Sequence, residues 1–140
     1  MPRAFSLRPT ESQEQIAFVD SVLLKFSHRL DFLRPLFNAT LSGHWLAGNG
    51  ARKAALVEKY KREGWTNGVA DILYLQPRGP YSYLAIEMKA IGRKAERNGG
   101  LSDDQCEWLD AARKVGALAM VCYGAEEAES AFCRYMEYPA

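Results

Sequence analysis

Two short stretches decide the fold: Gly68-Val69-Ala70-Asp71-Ile72-Leu73-Tyr74-Leu75 and Tyr83-Leu84-Ala85-Ile86-Glu87-Met88-Lys89. Between them lies Pro77-Arg78-Gly79-Pro80, a strong turn signal. Val69 to Leu75 reads as one strand and Tyr83 to Lys89 as the next. In the second, Leu84, Ile86 and Met88 fall on one face by the period-two rule, and Ala85, Glu87 and Lys89 fall on the other. Strands joined by so tight a turn pair antiparallel, so the start of the first lies opposite the end of the second. Asp71 then sits beside Glu87, with Lys89 on the same face.

Working outward, the N-terminal side supplies a helix. Thr10 is an N-cap with Gln13 three residues on, the capping-box spacing, and Ile16, Val19, Val22, Leu23 and Phe26 recur at helical intervals. Pro35 interrupts, and Leu36 to Leu41 suits a strand. After the Gly48-Asn49-Gly50 turn, Ala51 to Glu63 reads as a helix closed by Gly64 at its C′ position. On the C-terminal side a polar, glycine-containing loop runs from Gly92 to Gly100. Ser102 then caps a helix, with Gln105 at the capping-box position and Trp108, Leu109, Ala112 and Val115 as its core stripe. Leu118 to Tyr123 is an apolar strand, and Ala125 to Met136 is a closing helix. The helix before Leu118 permits a parallel crossover. The expected order is α, β, α, β, β, α, β, α: an α/β fold with a mixed sheet flanked by helices, in one domain spanning 1–140.

Composition narrows the function classes. With 48% apolar and 25% charged residues among 140, the chain matches an ordinary globular domain able to enclose one core. No apolar run approaches the roughly 20 residues that span a bilayer. Residues 1–9 lack the apolar segment of a secretion signal, so a cytoplasmic location is expected and a membrane partner is not. Cys106, Cys122 and Cys133 form no C-x-x-C pair, and His28 and His44 stand apart, which argues against a zinc site and for cysteines that fill small buried volumes. A formal net charge of +1 leaves nucleic-acid binding open. What matters is where the charges fall.

Glu87-Met88-Lys89 is the only acidic-x-Lys triplet in the chain, and it ends an otherwise apolar strand. Two carboxylates held together repel unless a cation joins them. Hard oxygen ligands favour Mg²⁺ or Mn²⁺, which keep positions open for phosphate and water. A lysine beside them can orient the attacking water or offset charge on a scissile phosphate. The same spacing also fits a solvated edge hairpin in which Asp71 and Lys89 make an exposed ion pair worth at most about 1 kcal/mol.

The chain resembles the VRR-NUC group of PD-(D/E)XK nucleases, particularly its short stand-alone members. The matching residues are Glu11 to Gln15, Thr40-Leu41-Ser42-Gly43, Gly64, Gly68 to Leu73, Ile86 to Lys89, Leu101 to Gln105 with Trp108, and Val121 to Ala125. The resemblance covers nearly the whole chain in order. It implies a restriction-endonuclease-like αβββαβ core and a divalent-metal phosphodiesterase acting on DNA, as a homodimer able to place paired nicks in a branched substrate. Carried over residue by residue, the catalytic set is Asp71, Glu87, Lys89, Glu11 and Gln105, and the metal set is Asp71, Glu87, Met88 and Glu11. Glu11 fits the family's Glu-x-x-x-Gln pattern with Gln15, and Glu14 is a second candidate for the helix acid. Gln105 is expected to touch metal-bound water or phosphate. Two departures stand out: Ala70 where the family usually has proline, and Ser42-Gly43 followed by His44-Trp45 where it has Asn-Gly.

The remaining expectations concern DNA contacts. Gln15 and Ser42 lie in matched segments. Arg93, Lys94 and Arg97, on a glycine-containing loop next to the acidic residues, are expected to track phosphates, although a solvated loop has similar composition. Arg52 and Lys53 follow Gly48-Asn49-Gly50, which suits an anion-binding nest or simply a turn. His44 and Trp45 suit stacking on a base or sugar, or, for Trp45, the core. The rival function is a nucleic-acid-binding module that kept the fold and lost turnover.

Overall fold

The computed structural model describes residues 8–40 and 50–140. Its organising element is β3 (Leu84–Lys89), in which all six side chains are buried. Alternation explains how. Leu84, Ile86 and Met88 enter one apolar cluster and Ala85 enters another on the opposite face. β3 therefore lies inside a sheet covered on both sides. The sheet order is β1 (Phe37–Ala39), β2 (Ile72–Tyr74), β3 and β4 (Leu118–Tyr123). β1–β2 and β2–β3 pair antiparallel and β3–β4 pairs parallel, as the hairpin and the intervening helix require.

The larger cluster joins the sheet to α1 (Glu11–Phe26) and α4 (Ala125–Glu137), with Phe18, Phe26, Phe32, Phe37 and Tyr74 packed edge-on around Phe132. α3 (Asp103–Lys114) covers the other face through Leu109 and Ala112, against Ala70, Ala85, Ala117 and Ala119. That alanine-rich face lets α3 lie close to the sheet. α2 (Gly50–Arg62) contributes no fully buried side chain, and Arg52, Lys53, Lys59, Lys61 and Arg62 are exposed, as expected. It ends as foreseen. Gly64, at φ +106°, donates to the Lys61 carbonyl while Trp65 donates to that of Tyr60, the two bonds of a Schellman motif.

Several boundaries differ from the sequence reading. Arg34–Leu36 forms a 3-10 turn, with Pro35 suited to its start, so β1 begins one residue later than expected. β2 is shorter than 69–75, although Thr40 N–H still bonds the Asp71 carbonyl and Leu75 N–H that of Leu36. The loop after β3 winds into two short 3-10 segments, Ile91–Ala95 and Arg97–Gly100. On α1 the buried stripe is Phe18, Val22 and Phe26, while Ile16 is 58% exposed. Val115 caps α3 rather than packing beneath it and is 67% exposed. Cys122 is buried as expected, and Cys106 and Cys133 are half-buried.

One buried cation went unnoticed in the sequence. Arg78, in the turn between β2 and β3, is 3% exposed and donates to Gln76, to the carbonyls of Met136 and Tyr138, and to Asp31. Among the described residues no helix is long and apolar enough to cross a membrane.

Candidate active site

The β2–β3 register pairs Ile72 with Ile86. Asp71, one residue earlier, therefore falls opposite Glu87. Its carboxylate turns inward and its Oδ2 accepts the Met88 N–H at 2.7 Å. Met88 itself points into the larger core, so it offers the centre main-chain atoms only. Glu87 is 3% exposed and Lys89 5% exposed. Lys89 Nζ lies 3.5 Å from Glu87 Oε1 and 3.8 Å from Glu11 Oε1, bridging the end of β3 to the start of α1.

Gln105 reaches in from α3. Its Oε1 accepts the Ser102 N–H at 2.9 Å in a complete capping box, and its Nε2 donates to Glu87 Oε1 at 2.8 Å. Its amide thus meets the carboxylate that would bear the metal. Both ends of the amide are used. Gly68 brings this helix start so close. At φ +86° a Cβ there would lie 2.5 Å from the Asp104 carbonyl, so only glycine permits the approach.

The electrostatics follow from burial. Desolvation, and next the Asp71 charge, push the Glu87 carboxyl up to about 8 despite the pull of Lys89. Burial also raises Asp71, against the opposing Met88 N–H and Lys89. Without a cation both shifts favour the protonated form of the pair. Glu87 Oε2 is buried with no hydrogen-bond partner. Natural interiors rarely leave such an atom unpaired without a reason. Two adjacent hard-oxygen donors, the buried Glu87 with its orphaned atom and the half-buried Asp71, fit a divalent cation such as Mg²⁺ or Mn²⁺.

The two helix acids separate cleanly. Glu14 is 8% exposed, and its Oε2 accepts the Ala125 N–H at the start of α4. That is a helix cap. Glu11 lines the cleft over the carboxylates, a space of about 740 Å³ that Thr10, Gln15, Ile16, Thr40, Gly68 and Gln105 also border.

The expected DNA contacts are scattered. Gln15 is in the cleft. Arg52, Lys53 and Arg97 are exposed. Lys94 sits over the Tyr123 ring at 5.7 Å. Arg93 is engaged internally with Glu11, Glu96 and the Gly100 carbonyl. Ser42, and with it Gly43, His44, Trp45, Gly48 and Asn49, lies outside the described residues. Sequence reading missed Asp20, which borders the outer cleft. Its place on the polar side of α1 carried no signal.

Comparison with known proteins agrees with this architecture. A solved structure described as a VRR_NUC domain protein superposes with a TM-score of 0.70 at 23% identity, covering 94% of this chain and 91% of its own. It shares the fold. No curated protein matches. The sequence model of the VRR-NUC domain matches residues 10–126, spanning both arms of the hairpin, the α3 cap and the start of α4. This chain, with its nuclease-type fold, belongs to the VRR-NUC family.

Proposed function

We propose that the protein is a divalent-metal-dependent DNA endonuclease that hydrolyses phosphodiester bonds at the Asp71–Glu87–Lys89 centre. The observation that carries this reading is the buried, unpartnered Glu87 Oε2 beside the half-buried carboxylate of Asp71. Asp71 and Glu87 would hold Mg²⁺ or Mn²⁺, with Met88 contributing main chain. When bound, the ion would lower the pKa of water and polarise a phosphoryl oxygen.

The protein's own groups divide the remaining work. Gln105 fixes Glu87 by occupying Oε1, which leaves Oε2 as the oxygen open to a cation. Lys89, held between Glu87 and Glu11, stabilises negative charge developing on the scissile phosphate. Gln15 and the basic residues Arg52, Lys53, Lys94 and Arg97 supply contacts around the cleft and on the surface. As a homodimer, like the stand-alone family members it resembles, the protein would present two centres to a branched DNA.

The test is cleavage of end-labelled single-strand, duplex, flap and four-way-junction DNAs with Mn²⁺, together with sedimentation of the free protein. Asp71→Asn and Glu87→Gln should fold and fail to cut. Full-rate cutting by either variant would refute the assignment, and DNA binding by the wild type without Mn²⁺-dependent cutting would point to a non-catalytic module.

A further inference from the structure

Glu11 stands over the carboxylate pair, yet among the described residues no three acidic, histidine or cysteine side chains gather closely enough to hold a metal. Glu11 is instead engaged by two cations. One oxygen, Oε1, faces both Lys89 Nζ at 3.8 Å and Arg93 Nη1 at 3.2 Å. Arg93 is tied down on two further sides, through Nε to Glu96 at 3.1 Å and through Nη2 to the Gly100 carbonyl at 3.0 Å. A guanidinium carries five N–H donors. Three are used here, and the side chain is 37% exposed beside Glu11, which lines the cleft. It therefore has donors left for an anion arriving from solvent.

We propose that Arg93 is a phosphate-responsive partner of Glu11: in the free protein it holds the helix acid away from the metal, and on substrate entry it passes to a backbone phosphate and releases Glu11 toward the ion. This rests on the nuclease reading above. The exchange is chemically matched. Arg93 trades an exposed carboxylate for a phosphate, both of which accept from a planar fork. Glu11 trades a cation on the rim for a divalent cation in the cleft. Metal and DNA would then bind with positive coupling, because each removes a competitor of the other. Arg93 acts through Glu11 and is a positioning residue. Lys89 stays with Glu87 throughout.

The test reads metal affinity without DNA. Mn²⁺ would be titrated calorimetrically into wild type, Arg93→Gln, Glu11→Gln and the double variant. Arg93→Gln should tighten Mn²⁺ several-fold, and that gain should vanish in the Glu11→Gln background. A gain that survives there would mean that Arg93 acts only as a distant positive charge, and the proposal fails. No gain in the single variant also overturns it.

A second measurement covers the phosphate arm. The slope of log Kd for a phosphorothioate oligonucleotide against log salt should fall by about one unit in Arg93→Gln. An unchanged slope would show that Arg93 never reaches a phosphate. Arg93→Lys keeps the charge but cannot span three partners, so it should preserve the salt slope and show intermediate Mn²⁺ affinity even if Arg93→Gln folds poorly. Loss of Mn²⁺ binding in Asp71→Asn is the separate control. If Mn²⁺ still binds there, the nuclease centre has been misassigned, whatever Arg93 does.

Discussion

Removing the charge from Glu87 should change how the metal-free protein responds to pH, and in an uncommon direction. The Glu87 carboxyl is raised to about 8 by burial and by Asp71, whereas an unfolded glutamate titrates near its ordinary value of 4.5. Between these values the folded state binds more protons than the unfolded state, so stability falls as pH rises. The slope approaches about 1.4 kcal/mol per pH unit, and the total between pH 5 and 8 is on the order of 3 kcal/mol. For a chain of 140 residues that corresponds to a melting temperature lower by about 10 °C. Asp71 is raised too and acts in the same sense. Asp31 and Glu129 are lowered by their ion pairs, so their contribution is lost only in the acid range, outside this window. Thermal melts in chelator across pH 5–8 would show the decline in wild type and a much flatter profile in Glu87→Gln, which should be the more stable protein at pH 8. Mn²⁺ should restore wild type more strongly at pH 8 than at pH 6, because at pH 6 it must displace the proton. A wild-type profile that rises with pH, or an identical slope in Glu87→Gln, would refute the account of a buried carboxylate awaiting a cation.

Three further outcomes follow from the same geometry. Lys89→Ala should keep Mn²⁺ binding in a calorimetric titration yet lose turnover by about 100-fold or more, since the carboxylates remain while the cation facing the phosphate does not. Glu14→Ala should cost about 1–2 kcal/mol of stability as a lost helix cap with cleavage retained, whereas Glu11→Gln should slow single-turnover cleavage about tenfold or more with little change in melting. The reverse ranking would return the helix acid to Glu14. Gly68→Ala, with a left-handed φ and no room for a Cβ, should destabilise by about 2–4 kcal/mol, and a denaturant midpoint equal to wild type would contradict that packing.

The hairpin and its acidic end were legible because they rest on local rules. Alternation places Leu84, Ile86 and Met88 together, a tight turn demands antiparallel pairing, and the register then carries Asp71 opposite Glu87. The α3 cap was equally plain, since Ser102 and Gln105 lie three residues apart. What local rules cannot show is a partner distant in sequence. Glu14 and Glu11 look alike in the first turn of a capped helix, and only the Ala125 N–H, 111 residues away, assigns Glu14 to capping. Arg78 sits in a turn that reads as solvent-exposed, yet it is buried because carbonyls from α4 and its C-terminal flank converge on it. Arg93 looked like a free loop cation. The 3-10 winding of its segment is what aims it at Glu11.

The double use of the Gln105 side chain ties activity to folding. One end of the amide closes the first turn of α3 and the other holds Glu87. Fraying of that turn removes the donor from Glu87 Oε1 and frees the carboxylate to rotate. Gly68 adds a second dependence, since its backbone packs against the same turn just before the chain reaches Asp71. A chain still being synthesised, or one whose crossover has come loose, therefore lacks an aligned centre although Asp71, Glu87 and Lys89 are all present in it. If the protein is the DNA nuclease proposed above, competence would arrive only with the docked crossover, and partially folded copies would leave DNA uncut.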